Sequence, residues 1–226
     1  TQNQQKKVPH VIHFDGHGIY GKRCTNDKCR KVFKGIKIDR CKRCGSSLST
    51  PQGYLLFEDN KGEADYVSAN KFGDLIQQHS FSFEKQQGIF LIVLSACKSS
   101  MVLASNSDFN GIAQNLISRK IPAVVAMQYL IDVNAATDFA QQFYCSLGQK
   151  NPLATVVSHA REAMDFERNQ WYRPILYLRW KDDEGGQLFT KDSASFSDNA
   201  EQVIQFLVNQ RDSVSSAELS KELNNA

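Results

Sequence analysis

The sequence predicts an α/β protein whose mostly parallel central sheet is flanked by helices and carries a small zinc-ribbon insert. Apolar runs of strand length at 89–94, 121–126 and 174–180 alternate with helical patterns, as in doubly wound sheets. The insert is indicated by four cysteines bunched ahead of the first of these runs. The chain has 226 residues, 41% of them hydrophobic, which is enough for one main core with smaller additions.

The sequence divides into a disordered start (1–7), a main domain (8–190) that contains the insert (22–48), and a polar, helical tail (191–226). No apolar run approaches the length of a membrane span, and the polar start is unlike a signal peptide, so we expect a cytoplasmic protein. Since the chain lacks an initiator Met and reaches its first strand at once, we expect a further core strand upstream of it.

The first strand is predicted from Val8 to Phe14 and leads into Asp15-Gly16-His17-Gly18. Glycines on both sides of a histidine predict a tight turn at the end of that strand. His17 would then stand at an edge of the sheet.

A second strand is predicted by six consecutive apolar residues from Ile89 to Leu94, the pattern of a strand buried on both faces. Ser95 and Ala96 follow, and then Cys97. Open α/β sheets place their ligands and their chemistry at the carboxyl ends of such strands.

Cys97 and His17 together indicate nucleophilic catalysis. A histidine within hydrogen-bond reach activates a thiol and can later protonate a leaving amine. The backbone N–H groups of Cys97 and Gly18 would form an oxyanion hole. Taken singly, Cys97 could be a buried core thiol and His17 a turn residue. The small residues around both positions favour the catalytic pair.

Capping residues predict where the helices begin and end. Ser68 and Asp132 are placed to cap two helices, and Asp108 a third. Gly148 would end the helix that follows Asp132, and Pro152 would open the next one.

The insert has the spacing Cys24-x4-Cys29-x11-Cys41-x2-Cys44, followed by Gly45. Two cysteine pairs separated by a short loop are typical of a structural zinc ribbon with four thiolate ligands. Four unrelated cysteines or two disulfides are the alternatives.

The insert is also strongly basic. Ten Lys/Arg against two Asp between Lys22 and Cys44 give it a charge of +8, so the rest of a chain of net charge +3 carries −5. It could bind nucleic acid or an acidic protein, or be solvated surface. Phe33 alone offers an aromatic ring for stacking bases. The position of the insert, directly after His17, also allows a regulatory role.

Several ordered motifs resemble the CHAT domain, a caspase-like cysteine peptidase group related to separases and metacaspases. They are His-Phe-Asp-Gly-His-Gly at 13–18, Leu-Ser-Ala-Cys at 94–97, Ile-Pro-Ala-Val-Val-Ala-Met at 121–127, Phe139 with Phe143-Tyr144, Ala160-Arg161 and Pro174-Ile-Leu-Tyr-Leu. The resemblance covers about residues 8–190. The basic insert and the lack of the first core strand depart from the common pattern.

The resemblance implies a caspase-like α/β sandwich, a His17/Cys97 dyad and peptide-bond hydrolysis. It also implies control by fused sensor or repeat domains, in bacterial signalling, cell death or antiviral defence. The competing hypothesis is a catalytically silent scaffold that docks a partner through the basic ribbon.

Substrate preference is suggested by Asp15 and Ser95, which lie two residues before His17 and Cys97. Residues two apart on a strand share a face, so both would line the groove beside the scissile bond. In metacaspase-like relatives these positions line that pocket. A carboxylate there favours Arg or Lys. Alternatively, Asp15 only caps a turn.

Overall fold

The structure is a computed structural model that describes residues 9–82, 87–96, 108–129, 131–164, 169–179 and 184–189. Its strands and helices, in chain order, are β1 (Val11–Arg23), β2 (Val32–Lys34), β3 (Gln52–Glu58), β4 (Ala64–Ser68), α1 (Ala69–Gln77), β5 (Leu91–Ala96), α2 (Asp108–Ser118), β6 (Ala123–Met127), α3 (Val133–Gly148), α4 (Leu153–Glu162) and β7 (Pro174–Leu178). Cys97 and the predicted tail at 191–226 lie outside the described residues.

Within these residues the seven strands form one sheet in the order β4-β3-β1-β5-β6-β7, with β2 beside β1. The pairs β1–β5 and β5–β6 are parallel, and the other strand pairs are antiparallel. The predicted α/β class with flanking helices is confirmed. The parallel part is the centre of the sheet, while the strands on both sides of it make the whole sheet mixed.

Strand β5 is buried on both faces, as its unbroken apolar run predicts. Leu91 and Val93 pack into one core with α3 and α4, whereas Ile92 and Leu94 pack into a second core with α1 and α2. This alternation follows from the two-residue period of a strand. Helices therefore cover both faces of the central strands and leave their carboxyl ends as the accessible edge.

The helix starts follow the predicted caps. The side chains of Ser68 and Asp132 accept hydrogen bonds from the backbone N–H groups of Lys71 and Ala135. Asp108 is instead the first residue of α2. Gly148 is the last residue of α3, and the left-handed φ that follows belongs to Lys150 (63°).

Strand β1 corrects the prediction of a turn at residues 16–18. It runs without a break to Arg23, and neither Gly16 nor Gly18 has a positive φ. Gly16 serves packing instead, because a Cβ at this position would come 2.9 Å from the Phe14 ring. His17 therefore lies within a strand, where the pairing of β1 changes from β5 to β3.

Candidate active site and metal centre

His17 lies at the point where β1 stops pairing with β5 and starts pairing with β3. Up to Gly16, which pairs with Ala96, the strand runs parallel to β5. From His17, which pairs with Leu56, it runs antiparallel to β3. The His17 side chain is exposed. This places an accessible imidazole at the carboxyl edge of the central strands.

Asp15 and Ser95 are direct partners in the β1–β5 register. Side chains of paired residues point to the same face of a sheet, so both lie on the side of α3 and α4, as does His17. Ser95 is buried and Asp15 is exposed. Partial burial raises the pKa of the Asp15 carboxyl, and the nearby charge of His17 opposes that shift.

Cys97 lies just outside the described residues. The last residue of β5 is Ala96, whose partner Gly16 immediately precedes His17. Gly18, the other expected oxyanion donor, is buried within β1 and pairs with Leu55. Asp15, Ser95 and His17 thus meet at one edge of the sheet, and the roles of Cys97 and Gly18 remain predictions.

A pair that was not predicted from the sequence lies on the same face. His13 Nδ1 is 2.8 Å from the hydroxyl of Tyr144 on α3, and its Nε2 is buried without a hydrogen-bond partner among the described residues. Burial lowers the pKa of His13 to about 4 and raises that of Tyr144. Both residues belong to motifs that carry the family resemblance, but no local pattern joins positions 131 residues apart.

The neutral His13, which is half-buried, should make the protein less stable in mild acid. Its imidazole takes up a proton near pH 6.5 when unfolded but only near pH 4 when folded, so the unfolded state binds more protons in this window. We expect His13 to account for roughly 2 kcal/mol of lost unfolding free energy between pH 7 and pH 5. Denaturant titrations of wild type and His13→Gln measure the difference, and equal pH dependence would contradict it.

The four cysteines of the insert converge. Their sulfur atoms all lie within 4.8 Å of one another, with Cys24 to Cys44 at 3.4 Å and Cys29 to Cys41 at 3.7 Å. These thiols are free, which excludes the disulfide alternative in this structure. A tetrahedral site with metal–sulfur bonds of about 2.3 Å has edges of about 3.8 Å, so the cluster could hold a metal ion.

Each cysteine pair closes a turn with a left-handed residue directly after it. These residues are Arg30 (φ 44°) after Cys29 and Gly45 (φ 73°) after Cys44. The N–H of Gly45 donates to the carbonyl of Cys41. Ser46, by its hydroxyl and its backbone, lowers the pKa of the Cys44 thiol, whereas desolvation raises that of Cys24. A metal ion would supply the compensation that a buried Cys24 thiolate needs.

The insert is fastened to the sheet through the end of β1. Strand β2 pairs with residues 21–23 of β1. The Arg23 guanidinium stacks 4.9 Å from the centroid of the Tyr54 ring and donates to the carbonyl of Tyr66. One continuous strand thus carries His17 in its middle and reaches the first cysteine of the cluster.

Gly21 permits the close pairing of β2 with β1. A Cβ at this position would lie 2.0 Å from the backbone oxygen of Phe33. Gly21→Ala should therefore destabilise the insert by roughly 1–3 kcal/mol, as overpacking does. The amide of Gly35, which donates to the carbonyl of Tyr20, should exchange faster. Gly111→Ala is the control, because its Cβ meets nothing within 4 Å, and equal exchange in both variants would contradict the prediction.

The fold and this edge define a mixed α/β class of protein, with an exposed histidine at the carboxyl edge of its central strands. Residues 1–197 match the family model of the CHAT domain, a family related to caspase-like proteases. The chain belongs to the CHAT domain family. A comparison with curated proteins found no match. Among the described residues, every helix is too short or too polar to cross a membrane.

Proposed function

We propose that this protein is a cysteine endopeptidase that uses a His17/Cys97 dyad. The proposal is supported by the β1–β5 register, which ends with Gly16 opposite Ala96. The next residues along the two strands are His17 and Cys97. If that register continued by one residue, their backbones would be about 5 Å apart with side chains on one face, within reach of a hydrogen bond.

In this mechanism His17 accepts the proton of the Cys97 thiol, and the sulfur attacks the scissile carbonyl carbon. Backbone N–H groups of Cys97 and Gly18 stabilise the oxyanion of the tetrahedral intermediate. His17 then donates its proton to the amine as the C–N bond breaks, leaving a thioester. Water, deprotonated by His17, releases the acyl product and restores the thiol.

We propose that cleavage follows a basic residue. Asp15 and Ser95 are register partners beside His17 and offer a carboxylate and a hydroxyl on the same face. Asp15 is exposed, so an incoming guanidinium can reach it without displacing a protein partner from a buried site. A guanidinium would bind the carboxylate through two parallel hydrogen bonds.

Asp15→Asn should lower kcat/KM for peptides with Arg before the scissile bond by about 10- to 100-fold, the value of one charge-assisted contact. Peptides with an uncharged residue there should be far less affected. Peptide-library profiling of both proteins measures this. Asp138→Asn, which changes an exposed carboxylate on α3, is the control. An unchanged preference in Asp15→Asn would rule out this subsite.

We further propose that the cysteine cluster binds Zn²⁺ through Cys24, Cys29, Cys41 and Cys44. Four thiolates at tetrahedral spacing suit this ion. The metal would supply folding energy and no catalytic chemistry, because four protein ligands leave no open coordination position.

The endopeptidase proposal is tested with a peptide-based thiol electrophile and a library of Arg- and Lys-containing peptides. The reagent should label Cys97 in preference to Cys145, which is an exposed free thiol. Cys97→Ala should abolish both labelling and cleavage, while Cys145→Ala should retain them. Equal labelling of the two cysteines, with cleavage that survives Cys97→Ala, would refute the dyad.

A second candidate function is contact between the insert and a nucleic-acid backbone, with the protein acting as a scaffold. Within the described insert one ion pair is present, between Lys22 and Asp39 at 3.9 Å. The insert also carries eight exposed cations, namely Lys28, Arg30, Lys31, Lys34, Lys37, Arg40, Lys42 and Arg43. Such a surface would bind phosphates without reading sequence.

This second function predicts salt-dependent binding of a labelled oligonucleotide that survives Cys97→Ala. Changing Lys28 and Lys42 to Gln should weaken binding and flatten its dependence on salt. Matched changes at Lys71 and Lys150, exposed cations outside the insert, should not. Binding of polyglutamate but not of the oligonucleotide would indicate an acidic protein partner instead.

Family membership suggests the biological setting of either function. We propose a bacterial signalling, cell-death or defence system in the cytoplasm, with control by sensor or repeat domains and a protein as substrate.

A further inference from the structure

Exposed hydrophobic side chains of the described residues are concentrated in one place. Five large ones are exposed, and four of them come from two short segments, 129–133 and 171–172. We call these four the aromatic patch: Tyr129 (37% exposed), Val133 (66%), Trp171 (40%) and Tyr172 (38%). The Tyr172 ring contacts both Tyr129, at 5.8 Å between centroids, and Trp171, at 6.1 Å. Concentrated apolar exposure of this kind marks a binding surface.

The loop that carries the aromatic patch is held in place by buried polar contacts. The Gln170 side chain is buried, accepts a hydrogen bond from the N–H of Asp132 and donates to the Asp132 carboxylate. The N–H of Gln128 donates to the carbonyl of Arg173 at 2.7 Å. These contacts tie residues 170–173 to β6 and to the start of α3. Exposed rings on a fixed loop lose little conformational freedom when they bind a ligand.

The aromatic patch lies at the same edge of the sheet as the candidate active site. Strands β5 and β6 are parallel, with Leu94 opposite Ala126, so their carboxyl ends lie side by side. Strand β7 begins where β6 ends, with Pro174 opposite Met127. Met127 and Val93 pack into the core shared with α3 and α4, which is also the face of Ser95 by strand alternation.

The spacing of the strands gives the lateral separation between the strand pairs that carry the patch and the basic-residue subsite. The β1–β5 pair, with Asp15 and Ser95, and the β6–β7 pair are separated by two strand spacings, about 10 Å. An extended peptide covers this distance in about three residues. One bound peptide could therefore occupy both places.

The charge near the patch disfavours a basic side chain, and its three rings favour an apolar one. The Arg173 guanidinium lies 5.9 Å from the centroid of the Tyr172 ring. A second cation there would be repelled, whereas an aromatic or aliphatic side chain would bury area against three rings.

We propose that the aromatic patch is a second substrate subsite, which binds a bulky apolar side chain about three residues from the basic residue at the cleavage position. This inference rests on the proposed endopeptidase function and adds to its specificity: the preferred sequence combines one cation with one aromatic or large aliphatic residue at a fixed separation.

The test uses fluorogenic peptides that share one arginine at the cleavage position and carry Phe, Trp, Ser or Asp at each neighbouring position. Wild type should prefer Phe or Trp to Ser by about tenfold in kcat/KM at one position. Trp171→Ser and Tyr129→Ser should each remove most of that preference, so that kcat/KM for the Phe and Trp peptides falls towards the value for the Ser peptide. Ile36→Ser is the matched control, since Ile36 is the fifth exposed hydrophobic residue and lies in the insert.

A binding arm separates this proposal from the proposed function. Anisotropy of the same labelled peptides with Cys97→Ala protein, in which Trp171 is intact or changed to Ser, reports binding without hydrolysis. Cleavage without an apolar preference overturns the subsite and leaves the peptidase standing. Selective, Trp171-dependent binding without cleavage supports the subsite while the peptidase fails. If the Trp171 change alters only the oligomeric state in sedimentation, the patch joins two copies of the chain and the subsite is wrong.

Discussion

Replacing His17 by alanine should lower kcat/KM for peptide cleavage by roughly a thousand-fold or more, the usual cost of losing a general base from a nucleophile–base pair. The expected reason is loss of the imidazole that holds Cys97 as a thiolate and later protonates the leaving amine. The rate of Cys97 alkylation at neutral pH should fall as well. Steady-state kinetics and mass-spectrometric alkylation rates measure the two effects separately.

His79→Gln serves as the control for this substitution, because His79 is a partly exposed histidine at the end of α1. It should leave both rates within about twofold, the range expected for a change away from the reacting groups. A His17→Ala protein that still cleaves peptides at the wild-type rate would remove the dyad and leave the scaffold hypothesis.

Removing metal from the cysteine cluster should unfold the insert and leave the sheet intact. Zinc binding supplies about 10–16 kcal/mol of folding free energy in small cysteine-rich modules. The insert has little apolar core of its own to replace that energy, because most of its residues are exposed. After chelation, the amides of Cys41 and Gly45, whose hydrogen bonds lie within the turn of the second cysteine pair, should lose exchange protection. Amides of β5 and β6 should keep theirs.

Cys41→Ser should reproduce the effect of chelation, and Cys145→Ser, outside the insert, should not. Unchanged protection of the Cys41 and Gly45 amides without metal would show that the module folds through its own contacts. Cleavage activity in the same samples tests regulation. Because β1 carries both His17 and the attachment of the insert, activity that falls while β5 and β6 stay protected would favour a regulatory role.

The central sheet could be predicted because each of its strands has a short apolar pattern in the sequence. The run from Ile89 to Leu94 reaches water on neither face, and that burial alone dictates six consecutive apolar residues. The caps Ser68 and Asp132 were predictable for the same reason, since each bonds an amide three residues away. The antiparallel outer strands depend on long-range pairing that no short pattern specifies.

Glycine was the ambiguous signal. Glycine permits turns, so the sequence predicts a turn at Gly16, but in β1 this residue makes room for the Phe14 ring. Gly21 makes room for the backbone of Phe33. A glycine that bends the chain and one that admits a neighbour look alike until the neighbour is known.

The features of the candidate site also fall into two groups, those that a local sequence pattern predicts and those that depend on the tertiary fold. The shared face of Asp15 and His17 follows from strand alternation and could be predicted. The His13–Tyr144 hydrogen bond and the Asp132–Gln170 contact could not be predicted. They join residues that are 131 and 38 positions apart, respectively, and only the tertiary fold brings these residues together.

The register between β1 and β3 has a consequence for how the insert could have been acquired. Gly21 lies opposite Gln52, so the two strands are the arms of a β-hairpin and residues 22–51 are its loop. A tight two-residue turn would join the same arms; it would remove β2, which belongs to the loop, and leave the other strands in place. The insert is thus a module at the tip of a hairpin. It can be exchanged while the rest of the topology is conserved.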